Sequence, residues 1–241
     1  MPTYRRAPIV EAVIELRLET PLPIRQAEKF RDRMKKTYPV VKDRMEFEVL
    51  FEGGKTAAVN STITGFNMNS TDSVDVLLIQ TKGFSTARLA PYEGWEALKA
   101  RLIDSYEVFM KLFGRLPVAA ASTRFINRVD IPDSVILGQD IDSFFRFGVQ
   151  SPKGLFKSCS GFSVTADVVE SETGLAAKVT CASDASPLID HQSFLVDIDV
   201  RTIEKLPMRQ DEMWAKVDEL RKAKNNFFEA SITDRVRDLI S

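Results

Sequence analysis

Between Ser122 and Pro132, at the midpoint of the chain, the residues run Ser-Thr-Arg-Phe-Ile-Asn-Arg-Val-Asp-Ile-Pro. Successive side chains of a β-strand point to opposite faces. As a strand, this stretch places Thr123, Phe125, Asn127, Val129 and Ile131 on one face and Arg124, Ile126, Arg128 and Asp130 on the other. Such a strand fits a sheet that is covered on one side and carries fixed charges on the other. Two further stretches share the pattern. Val10 to Glu19 sets Val10, Ala12, Ile14, Leu16 and Leu18 against Glu11, Val13, Glu15, Arg17 and Glu19. Ser193 to Arg201 sets Phe194, Val196, Ile198 and Val200 against Asp197, Asp199 and Arg201.

The rest of the chain arranges itself around these strands. After Val10–Glu19, Pro21 and Pro23 lead into a helix over Ile24 to Tyr38, with Ala27, Phe30, Met34 and Tyr38 on one side. Its other surface carries Arg25, Lys29, Arg31, Arg33, Lys35 and Lys36. Met45–Phe51, Thr56–Met68, Val74–Thr81 and Phe84–Leu89 read as strands. Their short links, with Gly53-Gly54 as one turn, indicate an antiparallel meander, because parallel strands need long crossovers. A long helix follows from Trp95 to Phe113, with Trp95, Leu98, Leu102, Tyr106, Phe109 and Phe113 as its apolar stripe.

The same order then recurs. The central strand comes first, then a short apolar helix over Asp140–Phe147. Three strands follow: Phe156 or Gly161 to Glu170, Gly174 to Ala182, and Ser193 to Glu204. A last helix carries Met213 or Trp214, Val217, Leu220, Lys224, Phe227 and Phe228 in register, continuing through Ile232, Val236 and Leu239. A break is expected at Asn225-Asn226 or Ala230-Ser231, where side chains compete for backbone hydrogen bonds. The expected fold is therefore α+β, with helices on one face of a curved antiparallel sheet. Two related β-α-meander-α halves, residues 1–117 and 118–241, pack as one structural unit. This order resembles the saddle of the TATA-binding protein or a helix-grip arrangement, a likeness of fold that carries no function.

The charged strand faces supply the candidate binding residues Glu11, Glu15, Arg17, Arg124, Arg128, Asp130, Asp197, Asp199 and Arg201. The strand-to-helix corner Arg88-Leu-Ala-Pro-Tyr-Glu-Gly-Trp95 adds Arg88 and Tyr92. Cross-strand charge pairing on a solvated face is the plain reading of such residues. Carboxylates also hold Mg²⁺ and arginines fork onto phosphate oxygens, so a phosphate-ester or nucleotide enzyme is the alternative. Triphosphate tunnel enzymes line their channel in this way, behind Glu-x-Glu-x-Lys on the first strand; Glu15-x-Arg17-x-Glu19 departs from that in order and charge. The basic helix Arg25–Lys36 raises nucleic-acid binding as a third class. Its Glu28 and Asp32 interrupt the charge, and no helix-turn-helix follows.

No motif identifies catalytic residues, a metal or a cofactor. The chain has a single histidine, His191, and two cysteines, Cys159 and Cys181, too few for a structural zinc site. A Ser-His-Asp triad would have to use His191, which sits in a polar Asp-His-Gln-Ser turn. The net charge of −1 gives no global field to attract polyanions or membranes. No apolar run approaches membrane-spanning length and the N-terminus lacks a signal-peptide core, so a cytoplasmic protein with free thiols is expected.

Four stretches are similar to a sporadically distributed, uncharacterised prokaryotic family of about this length: Tyr4-Arg-Arg-Ala-Pro-Ile-Val-Glu-Ala-Val-Ile-Glu15, Gly83-Phe-Ser…Trp95, Thr123-Arg-Phe-Ile-Asn-Arg…Pro132, and the Phe227-Phe-Glu…Ile-Thr-Asp ending. The resemblance covers essentially the whole chain. It implies a cytoplasmic protein of patchy occurrence, as is common for mobile, defence or toxin–antitoxin genes, and supplies no site residues. The expectation for function is a non-catalytic binding or regulatory module acting through a protein partner or self-association.

Overall fold

The computed structural model describes residues 4–52, 55–147, 161–170 and 173–241, with backbone alone for 48–52 and 55–59. The expected Gly53-Gly54 turn, the Phe156 strand start and Cys159 lie outside the described residues. In β1 (Ile9–Leu18), Ala12, Ile14, Leu16 and Leu18 are buried and the residues between them are not. The same alternation runs through β6 (Val118–Pro132) and β9 (His191–Thr202). β1 pairs with β6, and β6 with β9, all antiparallel. The three alternating strands therefore lie side by side.

Around them the sheet is completed by β2 (Val40–Glu52), β3 (Lys55–Asn69), β4 (Asp75–Gln80), β5 (Gly83–Leu89), β7 (Ser163–Glu170) and β8 (Leu175–Asp184). Among the described residues this is one nine-stranded antiparallel sheet in the order β2-β3-β4-β5-β1-β6-β9-β8-β7. β1 is flanked by β5 and β6, so it is buried on both edges as well as on one face.

Among the described residues five helices accompany the sheet: α1 (Ile24–Met34), α2 (Trp95–Phe113), α3 (Asp133–Ile136), α4 (Gln210–Ser231) and α5 (Asp234–Ile240). Pro23, with φ −56°, leads into α1, where a proline's missing N–H costs nothing. Ala27, Phe30 and Met34 recur at helical spacing and are buried. The helix stops at Met34, short of the expected Tyr38. Tyr38 is buried all the same, its N–H bonded to the Met34 carbonyl at 2.9 Å.

The main departure from expectation falls at Asp140–Phe147. Instead of one apolar helix this span holds a single 3-10 turn over Ile141–Ser143, preceded by the four-residue α3. Phe144 and Phe145 are both fully buried. Neighbouring residues cannot share one helix face; here the chain turns at Phe144 and then forms an isolated bridge from Phe145 to Ile232, and both rings are buried. The break in the last helix falls at the same place. The Ser231 hydroxyl donates back to the Phe227 carbonyl at 2.7 Å, a contact that bends helices. Ile232 is extended before α5 begins, and Phe144 accepts from Thr233 N–H at 3.0 Å. Met213, not Trp214, and Ile240, not Leu239, take the buried positions.

Residues 225–241 pack on their own chain. Tyr4 donates its hydroxyl to Glu229 at 2.7 Å, its ring lies edge-on to Phe228, and the Arg6 N–H bonds the Ile240 carbonyl at 3.0 Å.

Phe109 of α2 is the aromatic centre of the core. Its ring lies 5.7 Å from Phe30, 5.3 Å from Phe84 and 5.1 Å from Phe113, so one side chain joins α1, α2 and β5. Truncation leaves a cavity where three elements meet. Phe109→Ala is expected to cost about 3–5 kcal/mol, read from the urea midpoint. Gly83→Ala is expected to be destabilising as well. Gly83 has φ +149°, and a Cβ there would meet the Leu16 carbonyl oxygen at 2.1 Å, forcing β5 off β1.

Candidate functional site

The helices cover one face of the sheet. Phe84, Phe125 and Phe194 belong to the same face by register, and they receive Phe30 of α1, Phe109 and Trp95 of α2, Lys224 of α4 and Phe145. The opposite face is uncovered among the described residues. It is there that the alternation of β1, β6 and β9 delivers the charged side chains.

Register lays them out in rows across the strands. Glu11 stands beside Ile126, and Ile126 beside Asp197. One row on, Val13, Arg124, Asp199, Lys178 and Asp167 follow one another across five strands. The next row carries Glu15, Ser122 and Arg201, with Arg17 beyond it. Arg128 and Asp130 continue β6 in the other direction, with Ser193 opposite Asp130. Nine of the eleven candidate residues thus share one surface. Counting Lys178 and Asp167, it bears five cations and six anions.

Several of these charges pair with one another, Glu15 with Arg17, Arg124 with Asp197, Arg128 with Asp130 and Lys178 with Asp167. Arg124 forks onto Asp197, with Nε 2.9 Å from Oδ1 and Nη2 2.6 Å from Oδ2. The fork is diagonal, because the residue directly opposite Arg124 is Asp199. Asp199 is left half-buried, with Oδ1 accepting no hydrogen bond. Burial raises its pKa above the usual carboxylate value, Arg124 acts against that, and the Asp197 charge adds to it. Arg128 Nε lies 3.2 Å from Asp130, which also accepts the Ser193 hydroxyl. Ion pairs this exposed contribute about 0–1 kcal/mol each. They keep the face near neutral without holding the fold together, and their partners are exchangeable.

Arg88 and Tyr92 do not join this surface. Arg88 stands opposite Ala12 in register and so lies on the helix side of β5. It is buried, donating to Asp75 at 2.9 Å, to Glu93 at 2.7 Å and to the Pro91 carbonyl at 3.1 Å. Arg101 of α2 closes the same cluster, 3.0 Å from Asp75 and 2.5 Å from Glu93. All three guanidinium nitrogens of Arg88 donate inside the corner, which fastens the β5–α2 connection. Tyr92 presses its ring edge-on against Phe125 at 5.7 Å, and burial pushes its hydroxyl up to about 12. Both are packing residues of the helix-side core.

His191 is the first residue of β9 rather than part of a turn. Its Nδ1 lies 2.8 Å from the Ile189 carbonyl, while Ser193 gives its proton to Asp130, so these three do not form a relay. On α1, Asp32 draws in Arg31 and Lys35, and Arg31 also lies over the Phe66 ring at 4.4 Å. Arg25, Lys29, Arg33 and Lys36 remain exposed. The thiol of Cys181 is buried, and burial pushes its pKa up to about 12. No described helix is long and apolar enough to cross a membrane.

One functional group escaped the charge pattern. Lys224 is only 5% exposed, with its ammonium 3.8 Å from the centre of the Phe125 ring. Tyr92 and Trp95 pack on the same ring, and Arg221 lies over Trp95. No described carboxylate forms a salt bridge to it. Burial and then the Arg221 charge bring its pKa down from 10.5 to about 7. The sequence does mark the position, since Lys224 falls in register with Val217, Leu220 and Phe228 on the apolar side of α4.

No family model and no curated protein matches the chain.

Lys224 makes folding depend on pH in a definite direction. Its folded pKa lies below its unfolded one, so the unfolded chain binds the extra proton between about 7 and 10.5. The cost of burying the charge is full below pH 7 and fades as pH rises toward 10.5. Lys224→Met is expected to stabilise the protein most below pH 7, with a ceiling of about 5 kcal/mol. That gain shrinks steadily in urea titrations between pH 7 and 10. A constant gain across this range would show that Lys224 is charged throughout.

Proposed function

We propose that the protein is a non-catalytic binding module that docks a protein partner on the uncovered, charged face of its sheet. The observation carrying this is that six of the nine charged residues of β1, β6 and β9 form ion pairs in the open, Glu15–Arg17, Arg124–Asp197 and Arg128–Asp130. An enzyme acting on phosphate esters or nucleotides would need them gathered around a concave site with several strongly shifted groups. Among the described residues no three acids, histidines or cysteines cluster as metal ligands. A nucleic-acid surface would need an excess of cations, whereas this face holds nearly equal numbers of each sign. Mixed, exchangeable charge on a rigid sheet suits a protein surface of complementary pattern, where charge placement sets register and on-rate.

The two-halves reading has topological support. Each stretch, 1–117 and 118–241, begins with a strand that pairs with the last strand of its own stretch, β1 with β5 and β6 with β9. The two leading strands meet at β1–β6. Such a union of halves would put the docking face across their seam. A cytoplasmic, prokaryotic, defence-linked setting rests on the resemblance alone.

The test is a native pull-down from the source cell, comparing wild type with Arg124→Ala/Arg128→Ala and identifying both proteins and small molecules by mass spectrometry. A stoichiometric partner protein should be retained by wild type and lost by the variant. Removing one member of a desolvated charge pair costs about 2 kcal/mol or more, roughly thirtyfold in affinity. A retained nucleotide or metal, with no partner protein, would overturn the reading and make Asp197, Asp199 and Arg124 active-site candidates.

A further inference from the structure

The sheet ends at β2, and the outer edge of that strand has no neighbour among the described residues. β4 reaches β3 only over residues 65–69. From Met45 onward the β2–β3 ribbon therefore continues with hydrogen bonds on one side only. Met45 stands opposite Ile63 and Phe47 opposite Ser61, which puts the three apolar side chains on one face of the ribbon. They are exposed by 44% (Met45), 66% (Phe47) and 36% (Ile63), since no helix extends over them.

An unpaired edge of this length is a template for another strand. The residues along it specify which strand fits. In a two-fold antiparallel pairing of β2 with itself, an axis through the sheet keeps each face with its like. One residue must then stand opposite its own copy. Centring on Arg44 or on Glu46 would set like charges face to face at the axis, which is destabilising. Centring on Met45 sets Met45 against Met45 of the second copy and Arg44 against Glu46 of the second copy, twice. Phe47 then lies diagonal to Met45 of the second copy, within reach of a long side chain. The apolar face gains a central contact and the charged face gains two complementary pairs.

We propose that the protein self-associates as a two-fold dimer through antiparallel pairing of its β2 edges in the Met45-centred register, making one continuous sheet from two. The contact is isologous, so it closes at two copies. It lies at the far end of the sheet from the charged rows of β6 and β9 and leaves that face free.

Sedimentation equilibrium over the micromolar range tests the pairing with charge reversals at exposed positions. Arg44→Glu alone and Glu46→Arg alone each create two like-charge pairs per dimer. Each should raise the dimer dissociation constant by roughly tenfold or more. An equimolar mixture of the two variants should restore the dimer, since every cross-strand pair is complementary again in the mixed species. Circular dichroism confirms that each variant is folded, and Arg124→Ala/Arg128→Ala should remain dimeric. A monomeric wild type, single variants as dimeric as wild type, or a mixture that fails to recover would each overturn the proposal.

Discussion

The structure depends on the antiparallel contact between β1 and β6. Both strands alternate apolar and charged residues, and a shift of one residue would turn every apolar side chain of one strand to the wrong face. The observed register sets Ala12 beside Phe125 and Ile14 beside Thr123 on the helix side, and Val13 beside Arg124 on the other. It also brings residues a hundred positions apart onto common rows, which is how Glu11, Arg124 and Asp197 share one surface. Without this seam the helices would have two smaller sheets to cover.

The charged face and the covered face use ionic groups differently. On the uncovered face, Arg124 and Asp197 meet in solvent, and their pairing is weak enough to be traded for contacts with another molecule. Under the helices, Arg88 is enclosed by two acids and a carbonyl, where breaking one pair would strand a buried charge. Lys224 is a third case, a buried amine whose listeners are aromatic rings rather than anions. A cation over a ring face recovers part of its lost hydration, and deprotonation near neutrality recovers more.

The strands and the two long helices were legible because their periods are clean. Trp95 to Phe109 repeats at three and four residues, Ile9 to Leu18 at two, and no competing pattern overlaps them. The charged surface was legible for the same reason, though only as three separate strand faces; their convergence depends on strand order, which no local pattern encodes. The 140–147 segment misled because Ile141, Phe144 and Phe145 mimic a helical stripe, while Phe145 instead bridges to Ile232, a partner far along the chain. Arg88 misled because an arginine beside Tyr92 and Trp95 at a corner looks the same whether it awaits a ligand or is already satisfied by Asp75 and Glu93. Lys224 was in view as one polar residue within an apolar register, a signal whose meaning depends on what lies above it.

The seam between β1 and β6 also has a consequence for how the chain is made. A ribosome delivers residues in order, so β5 can close onto β1 well before residues 118–132 exist. During that interval β1, the most apolar strand of the centre, offers its other edge to whatever strand is near. Synthesis proceeds at roughly 5–20 residues per second, which leaves the nascent half open for seconds. Vectorial emergence therefore exposes, as a transient, an edge that β6 covers in the finished molecule.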